Sequence, residues 1–141
     1  MIYMNLLQQF RMFIFLVITL ALSGCPRFAY VEIYNYSGTT IEVSSSGITK
    51  IIAPANSDRF RMTGEQFEIS SELGNWVYPR NIPNGGVDGP YFDGTLRVQL
   101  NKNGDLYVLN EDQEPPIEAF GEQPTGYPIS VKDNSRYFKE N

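Results

Sequence analysis

The stretch Leu96 to Leu109, LRVQLNKNGDLYVL, alternates apolar and polar residues on both sides of a turn. Leu96, Val98 and Leu100 fall on one face of an extended chain and Arg97 and Gln99 on the other, the period-two pattern of a half-buried strand. Leu106 to Leu109 is its partner. Between them, Asn101-Lys102-Asn103-Gly104-Asp105 reads as a hairpin turn, with Asn-Gly supplying the positive φ values such a turn demands.

The same texture extends toward the amino end. In Phe28 to Tyr34 (FAYVEIY), Ala29, Val31 and Ile33 share one face while Tyr30, Glu32 and Tyr34 share the other. Asn35-Tyr36-Ser37-Gly38 makes a turn, Thr40 to Ser44 a second strand with Ile41 and Val43 inward, and Ser45-Ser46-Gly47 leads into Ile48 to Ile52. These three strands are expected to form a meander. After the break Ala53-Pro54-Ala55-Asn56-Ser57 come Asp58 to Met62, Gln66 to Ser70 and Asn75 to Tyr78, with Thr63-Gly64-Glu65 as a connector. Strands at spacings of about ten residues predict an all-β domain over residues 28–110: a small antiparallel β-sandwich or open barrel of about seven or eight short strands.

Beyond Leu109 the composition shifts. Glu111, Asp112, Glu114, Glu118 and Glu122 lie among Pro115, Pro116, Pro124 and Pro128, so residues 111–141 read as an acidic, Pro-rich tail. Like charges and stiff prolines disfavour independent compact structure. Ile117, Phe120, Tyr127, Ile129 and Val131 offer the opposite outcome, a tail pinned across the sandwich.

Composition closes several chemical routes. The 141 residues contain no His, which removes Ser-His-Asp and Cys-His nucleophile pairs and the commonest zinc sites. A single Cys excludes an internal disulfide, and 42% hydrophobic against 19% charged residues gives enough apolar material for a core. The net charge of −5 and the scattered basic residues argue against a nucleic-acid partner.

The lone Cys25 has its own context. Met12 to Leu22 (MFIFLVITLAL) is an uncharged apolar run preceded by Arg11, the layout of a signal peptide, with Met1 or Met4 as its start. As a helix it would span about 16 Å, roughly half of a hydrocarbon core, which disfavours a permanent transmembrane segment. The next residues, Leu22-Ser23-Gly24-Cys25, match Leu-Ser/Ala-Gly/Ala-Cys at every position and so resemble the lipobox of bacterial lipoproteins. That resemblance implies cleavage between Gly24 and Cys25, diacylglycerol on the Cys25 sulfur and attachment to a membrane through that lipid. It divides the chain into a signal peptide (1–24), a lipidated anchor and linker (25–27), the β domain and the tail. Pro26, which is not Asp, leans toward the outer membrane facing the periplasm; the inner membrane and the cell surface stay open. The mature chain would carry a net charge of −6, since Arg11 is the only ionised side chain lost. The resemblance covers the first 25 residues, and the mature domain is recognised as a member of no family.

Within the β domain, Pro79 to Gly94 (PRNIPNGGVDGPYFDG) is a long connection rich in turn signals, and long loops often carry function. Trp76, Tyr78, Asp88, Tyr91, Phe92 and Asp93 are the candidate binding residues: the aromatics offer flat amphipathic surfaces for a sugar ring or a partner side chain. The competing reading makes Trp76 core and has Tyr91 and Phe92 cap one end of the sandwich. Asp88 and Asp93, or Asn101, Asn103 and Asp105, supply oxygen ligands without a complete calcium-loop pattern, so neither a metal nor a cofactor is expected. The expected function is a non-catalytic binding module for an envelope protein or glycan. Two alternatives are an inhibitor or immunity-type lipoprotein that neutralises a cationic toxin or hydrolase, and a small envelope enzyme working through paired carboxylates.

Overall fold

A computed structural model describes residues 29–61, 63–83 and 91–130. The expected signal peptide, with Gly24, and Cys25, Asp88 and residues 131–141 lie outside the described residues. Every regular element described is a strand: β1 (Tyr30–Tyr36), β2 (Ile41–Ser45), β3 (Ile48–Ile52), β4 (Ser57–Arg61), β5 (Gln66–Ser71), β6 (Gly74–Pro79), β7 (Thr95–Asn101) and β8 (Leu106–Val108).

These strands form two four-stranded sheets, β4-β1-β7-β8 and β3-β2-β5-β6, here called sheets A and B. The result is a sandwich, not a closed barrel. All pairs are antiparallel except β1 with β7, which run parallel from Tyr30↔Thr95 to Tyr36↔Asn101. The inner faces carry the residues that alternation assigned to them: Val31, Ile33, Leu96, Val98 and Leu100 from sheet A, and Ile41, Val43, Phe67 and Ile69 from sheet B, all buried. Phe60 on β4 meets Phe67 edge-on at 5.9 Å, and Phe67 stacks on Tyr78 at 5.3 Å, so an aromatic ladder ties the sheets together.

The expected meander of the first three strands does not form. β2 and β3 make a hairpin, closed by Ser46 and Gly47 with both φ values positive (47° and 81°), the mirror-image turn whose twist suits paired strands. β1 instead lies at the centre of the other sheet. Buried Asn35 makes the corner: its Nδ2 donates to Thr39 O (2.7 Å) and Ile52 O (3.0 Å), and its Oδ1 accepts from the Ser37 hydroxyl (2.6 Å). These bonds turn the chain out of sheet A and into sheet B.

The β7–β8 hairpin is where alternation placed it, but its turn differs in detail. Only Gly104 has positive φ (83°); Asn103 instead uses its side chain, accepting from Asp105 N–H (3.1 Å) and donating to the Asp105 carboxylate (2.7 Å).

Residues 110–130 pack onto sheet A as a strap. Gln99, expected to face solvent, is fully buried beneath it. Its amide accepts from Ile117 N–H and donates to Ile117 O, both at 2.8 Å, and also donates to Asn101 Oδ1 (2.8 Å). Gln123 does the same for β8, its Oε1 accepting from Val108 N–H (2.8 Å) and its Nε2 donating to Val108 O (3.2 Å). Each side-chain amide acts as a short piece of neighbouring strand. Leu106 and Ile129 exchange backbone hydrogen bonds, so the free edge of β8 is covered. Phe120 stacks on Tyr107 at 4.0 Å, and Tyr127 donates to Asn81 O at 2.7 Å; burial pushes the Tyr127 phenol above its ordinary pKa. Glu111, Asp112, Glu114, Glu118 and Glu122 stay exposed, so the strap docks by amides and rings while its charges remain in water.

Candidate functional site

The aromatic residues expected to form a binding platform are largely core. On β6, Trp76 and Tyr78 share the inward face; Trp76 is 7% exposed and Tyr78 fully buried. The Tyr78 hydroxyl donates to Gly104 O at 2.6 Å, and burial pushes its pKa well above the usual phenol value, so it is a neutral structural donor. Phe92 is buried and bridges to Leu96, while Tyr91 is half-buried against the core. Asp93 is exposed, but its carboxylate accepts Thr95 N–H (3.1 Å) and opens β7 as a turn residue. A crevice lined by Tyr91, Asp93, Arg97 and Glu111 has a volume of about 30 Å³, the size of one water and too small for a sugar or a side chain. Burial takes Trp76, Tyr78 and Phe92 out of reach of any partner, because the alternation that makes β6 a strand turns both of its large rings inward.

A larger concave surface lies elsewhere, on the outer side of sheet B. A groove of about 270 Å³ runs between the β2–β3 turn and the start of β5, lined by Ser44, Ser46, Gly64, Glu65, Gln66 and Glu68. The Ser45 and Ser46 hydroxyls both donate to Thr63 O (3.0 and 2.9 Å), which fixes the two walls against each other. Gly64, at φ +85°, permits that approach: a Cβ there would stand 2.9 Å from Ser46 Oγ. A second depression of about 170 Å³ continues past Glu65 and Gln66 to Val77 and Pro79.

The register explains the chemistry of this face. Glu42 opposes Ser70 and Ser44 opposes Glu68 across β2 and β5, and Glu68 in turn opposes Val77 on β6. The outward strand positions of sheet B therefore hold Glu42 and Glu68 and no Lys or Arg, with the turn acids Glu65 and Glu72 at its ends. Hydroxyls, carboxylates and one amide line the groove together with Phe67, and Ile51, 70% exposed, adds an apolar spot beside Glu42. Such a lining offers hydrogen-bond acceptors and negative charge to a cationic or hydroxyl-rich partner.

The strands of sheet A carry basic residues outward, beneath and beside a strap whose own charges are acidic. Arg59, Arg61 and Arg97 project from the outer face of the sheet with Tyr30, Tyr34 and Tyr36 and a single acid, Glu32. Arg97 is tied to the strap, reaching Asn110 O and Glu111 O at 3.4 Å and Glu114 at 4.0 Å. Arg59 lies over the Tyr30 ring with its guanidinium carbon 3.9 Å from the centroid.

The groove was missed in the sequence because it is made by pairing. Thr63-Gly64-Glu65 reads as a plain connector until β2 and β5 are set side by side. Among the described residues no three of His, Cys, Asp and Glu converge as metal ligands. The chain matches no family model, no curated protein and no solved structure.

Proposed function

We propose that this chain is a lipid-anchored bacterial envelope lipoprotein whose β-sandwich is a non-catalytic binding module for an envelope protein or glycan. The address rests on Leu22-Ser23-Gly24-Cys25. The observation that carries the binding role is the groove at Ser44, Ser46, Glu65, Gln66 and Glu68, a roomy, acceptor-rich surface on a rigid sheet. A tether holding that surface in one layer of the envelope raises its effective concentration toward any partner there, so a modest groove suffices.

A second reading, an inhibitor or immunity-type lipoprotein that caps a cationic toxin or hydrolase, is favoured specifically by the acidic lining. Carboxylates on a face free of basic side chains would steer a basic partner and lose strength with added salt.

The test is a photo-cross-linker placed at Gln66 in the tagged lipoprotein, with adducts recovered from intact envelopes and identified by mass spectrometry. A single stoichiometric adduct that disappears in the Glu65→Gln, Glu68→Gln double variant supports the groove. A basic protein captured in a salt-sensitive manner selects the inhibitor reading; a glycan-bearing adduct selects the other. An adduct pattern indifferent to both glutamates rejects the groove. The anchor has a separate test: Cys25→Ala should accumulate an unlipidated precursor, and a mature protein with unmodified Cys25 would remove the anchor.

A further inference from the structure

We infer that β3 is the strand by which two copies of this chain pair, antiparallel and two-fold symmetric at Ile51, joining their B sheets into one sheet of eight strands. The inference concerns the edge of the sandwich and requires neither the groove nor the anchor.

The fold treats its four edge strands differently. β8 is covered by Ile129, which exchanges backbone hydrogen bonds with Leu106. On β4 the pairing with β1 turns the Arg59 N–H and C=O to the free edge, and side chains occupy both. Asp58 Oδ1 accepts the N–H at 2.6 Å, and the Lys50 ammonium donates to the carbonyl. On β6 the Arg80 N–H bonds to Glu65 O, so Pro79 beside it faces the free edge, where proline has no N–H to present.

β3 has no such guard. Counting from its two-residue turn, Ile48, Lys50 and Ile52 direct their backbone groups to β2, so the N–H and C=O of Thr49 and Ile51 point off the edge. Among the described residues nothing bonds to them. The strand, Ile-Thr-Lys-Ile-Ile, is β-branched at every position but one, and Ile48 and Ile51 are both exposed. Its lysine does not protect it, because Lys50 is turned to Asp58 and Arg59 on β4. An open apolar edge of this kind accepts another strand.

Register and charge select a second copy as the occupant. With Ile51 opposite Ile51 of the second copy, the pair exchanges two N–H to C=O bonds and each exposed side chain covers the other. The same register sets Thr49 and Ile48 level with Ala53 and Pro54 of the second copy, both exposed, and Lys50 opposite Ile52 rather than opposite another lysine. Glu42 flanks Ile51 on β2, so the two Glu42 residues fall three strand spacings apart, about 14 Å, beyond the screening length in physiological salt. Each β3 edge is used against the other, so the assembly closes at two chains. The axis stands perpendicular to the joined sheet, and both grooves at Ser44 and Glu68 open on one surface. With that axis normal to a bilayer, the two Tyr30 ends stand at equal height above it.

The experiment uses the full chain in the envelope, with single cysteines placed on β3. Residues facing each other in a hydrogen-bonded antiparallel pair have Cα atoms about 5.5 Å apart, within disulfide reach. Ile51→Cys is therefore expected to give, under mild oxidation, a disulfide-linked species of twice the chain mass. Thr49→Cys, also exposed and on the same face, is the control for collision, because in this register the two residues 49 lie about 14 Å apart and form no bond. The unsubstituted chain, with Cys25 as its one thiol, reports any bond made through that residue. In detergent solution the parent should sediment as a dimer. Ile51→Lys, at an exposed site where the fold tolerates it, sets two like charges face to face and should sediment as a monomer. Disulfides formed as readily at 49 as at 51, none at 51, an Ile51→Cys bond to a protein of another mass, or an Ile51→Lys chain that stays dimeric each overturns the inference.

Discussion

Replacing Gln99 by Met tests whether one buried amide holds the strap. Methionine nearly conserves volume, and the side chain at this position lies between its cross-strand neighbours Tyr34 and Tyr107, so the change removes polarity rather than packing. Three hydrogen bonds disappear, to Ile117 N–H, Ile117 O and Asn101 Oδ1. At about 1 kcal/mol net for each, their loss costs about 3 kcal/mol. If the strap stayed in place, the two Ile117 backbone groups would be left unpaired at about 1–3 kcal/mol apiece. Ile117 is only half-buried, so the cheaper response is for the segment around it to lift and hydrate. The expected destabilisation is therefore about 2–4 kcal/mol, read by urea unfolding, together with faster exchange of the Ile117 amide and new protease cleavage between 111 and 120. Gln99→Glu should release the same segment, because a carboxylate accepts from Ile117 N–H but cannot donate to Ile117 O. A Gln99→Met protein within about 0.5 kcal/mol of the parent, the size of an ordinary surface change, with Ile117 still protected, would show that Phe120, Gln123 and Ile129 hold the strap without it.

Two further outcomes follow from buried and bridging polar groups. Tyr78→Phe keeps the ring that stacks on Phe67 but orphans the buried Gly104 carbonyl, so chemical denaturation should show a loss of about 1–2 kcal/mol with an unchanged core. The Lys50 ammonium, donating to Asp58 at 2.8 Å, holds that carboxyl below its usual pKa, with partial burial opposing. A depressed carboxyl pKa stabilises above the unfolded value near 3.9, and the gain is lost as pH falls through the folded value. Asp58→Asn should therefore be less stable than the parent at neutral pH, by under about 1 kcal/mol because the pair is partly exposed, and the difference should close in acid. A gap that persists below about pH 2 would assign it to something other than ionisation.

Strand identity was legible because it is written in a local period. FAYVEIY, TIEVS and LRVQL state which side chains share the apolar face, and Val31, Ile33, Ile41, Val43, Leu96 and Val98 are buried there. Which strands become neighbours is not local. β1 and β7 are separated by most of the domain, and the Asn35 corner that turns the chain toward the other sheet finds its partners at Thr39 in the next loop and at Ile52 on β3. The aromatic platform failed for a related reason: alternation says that Trp76 and Tyr78 share a face, while only the second sheet decides that the face is covered. The strap shows the same division, since its acids and prolines are plain in the sequence but its attachment runs through Gln99 and Gln123, two amides that look like solvent-facing residues until a backbone arrives to pair with them.

The sequence by itself determined the number and faces of the strands, the absence of imidazole chemistry and the lipobox-like run at Cys25, all properties of neighbouring residues or of bulk composition. Tertiary structure alone decided the sheet order, the docking of residues 110–130, the acidic groove on sheet B and the placement of Arg59 over Tyr30. Each of these joins groups distant in the chain, and no short-range pattern encodes which distant group a half-buried face will meet.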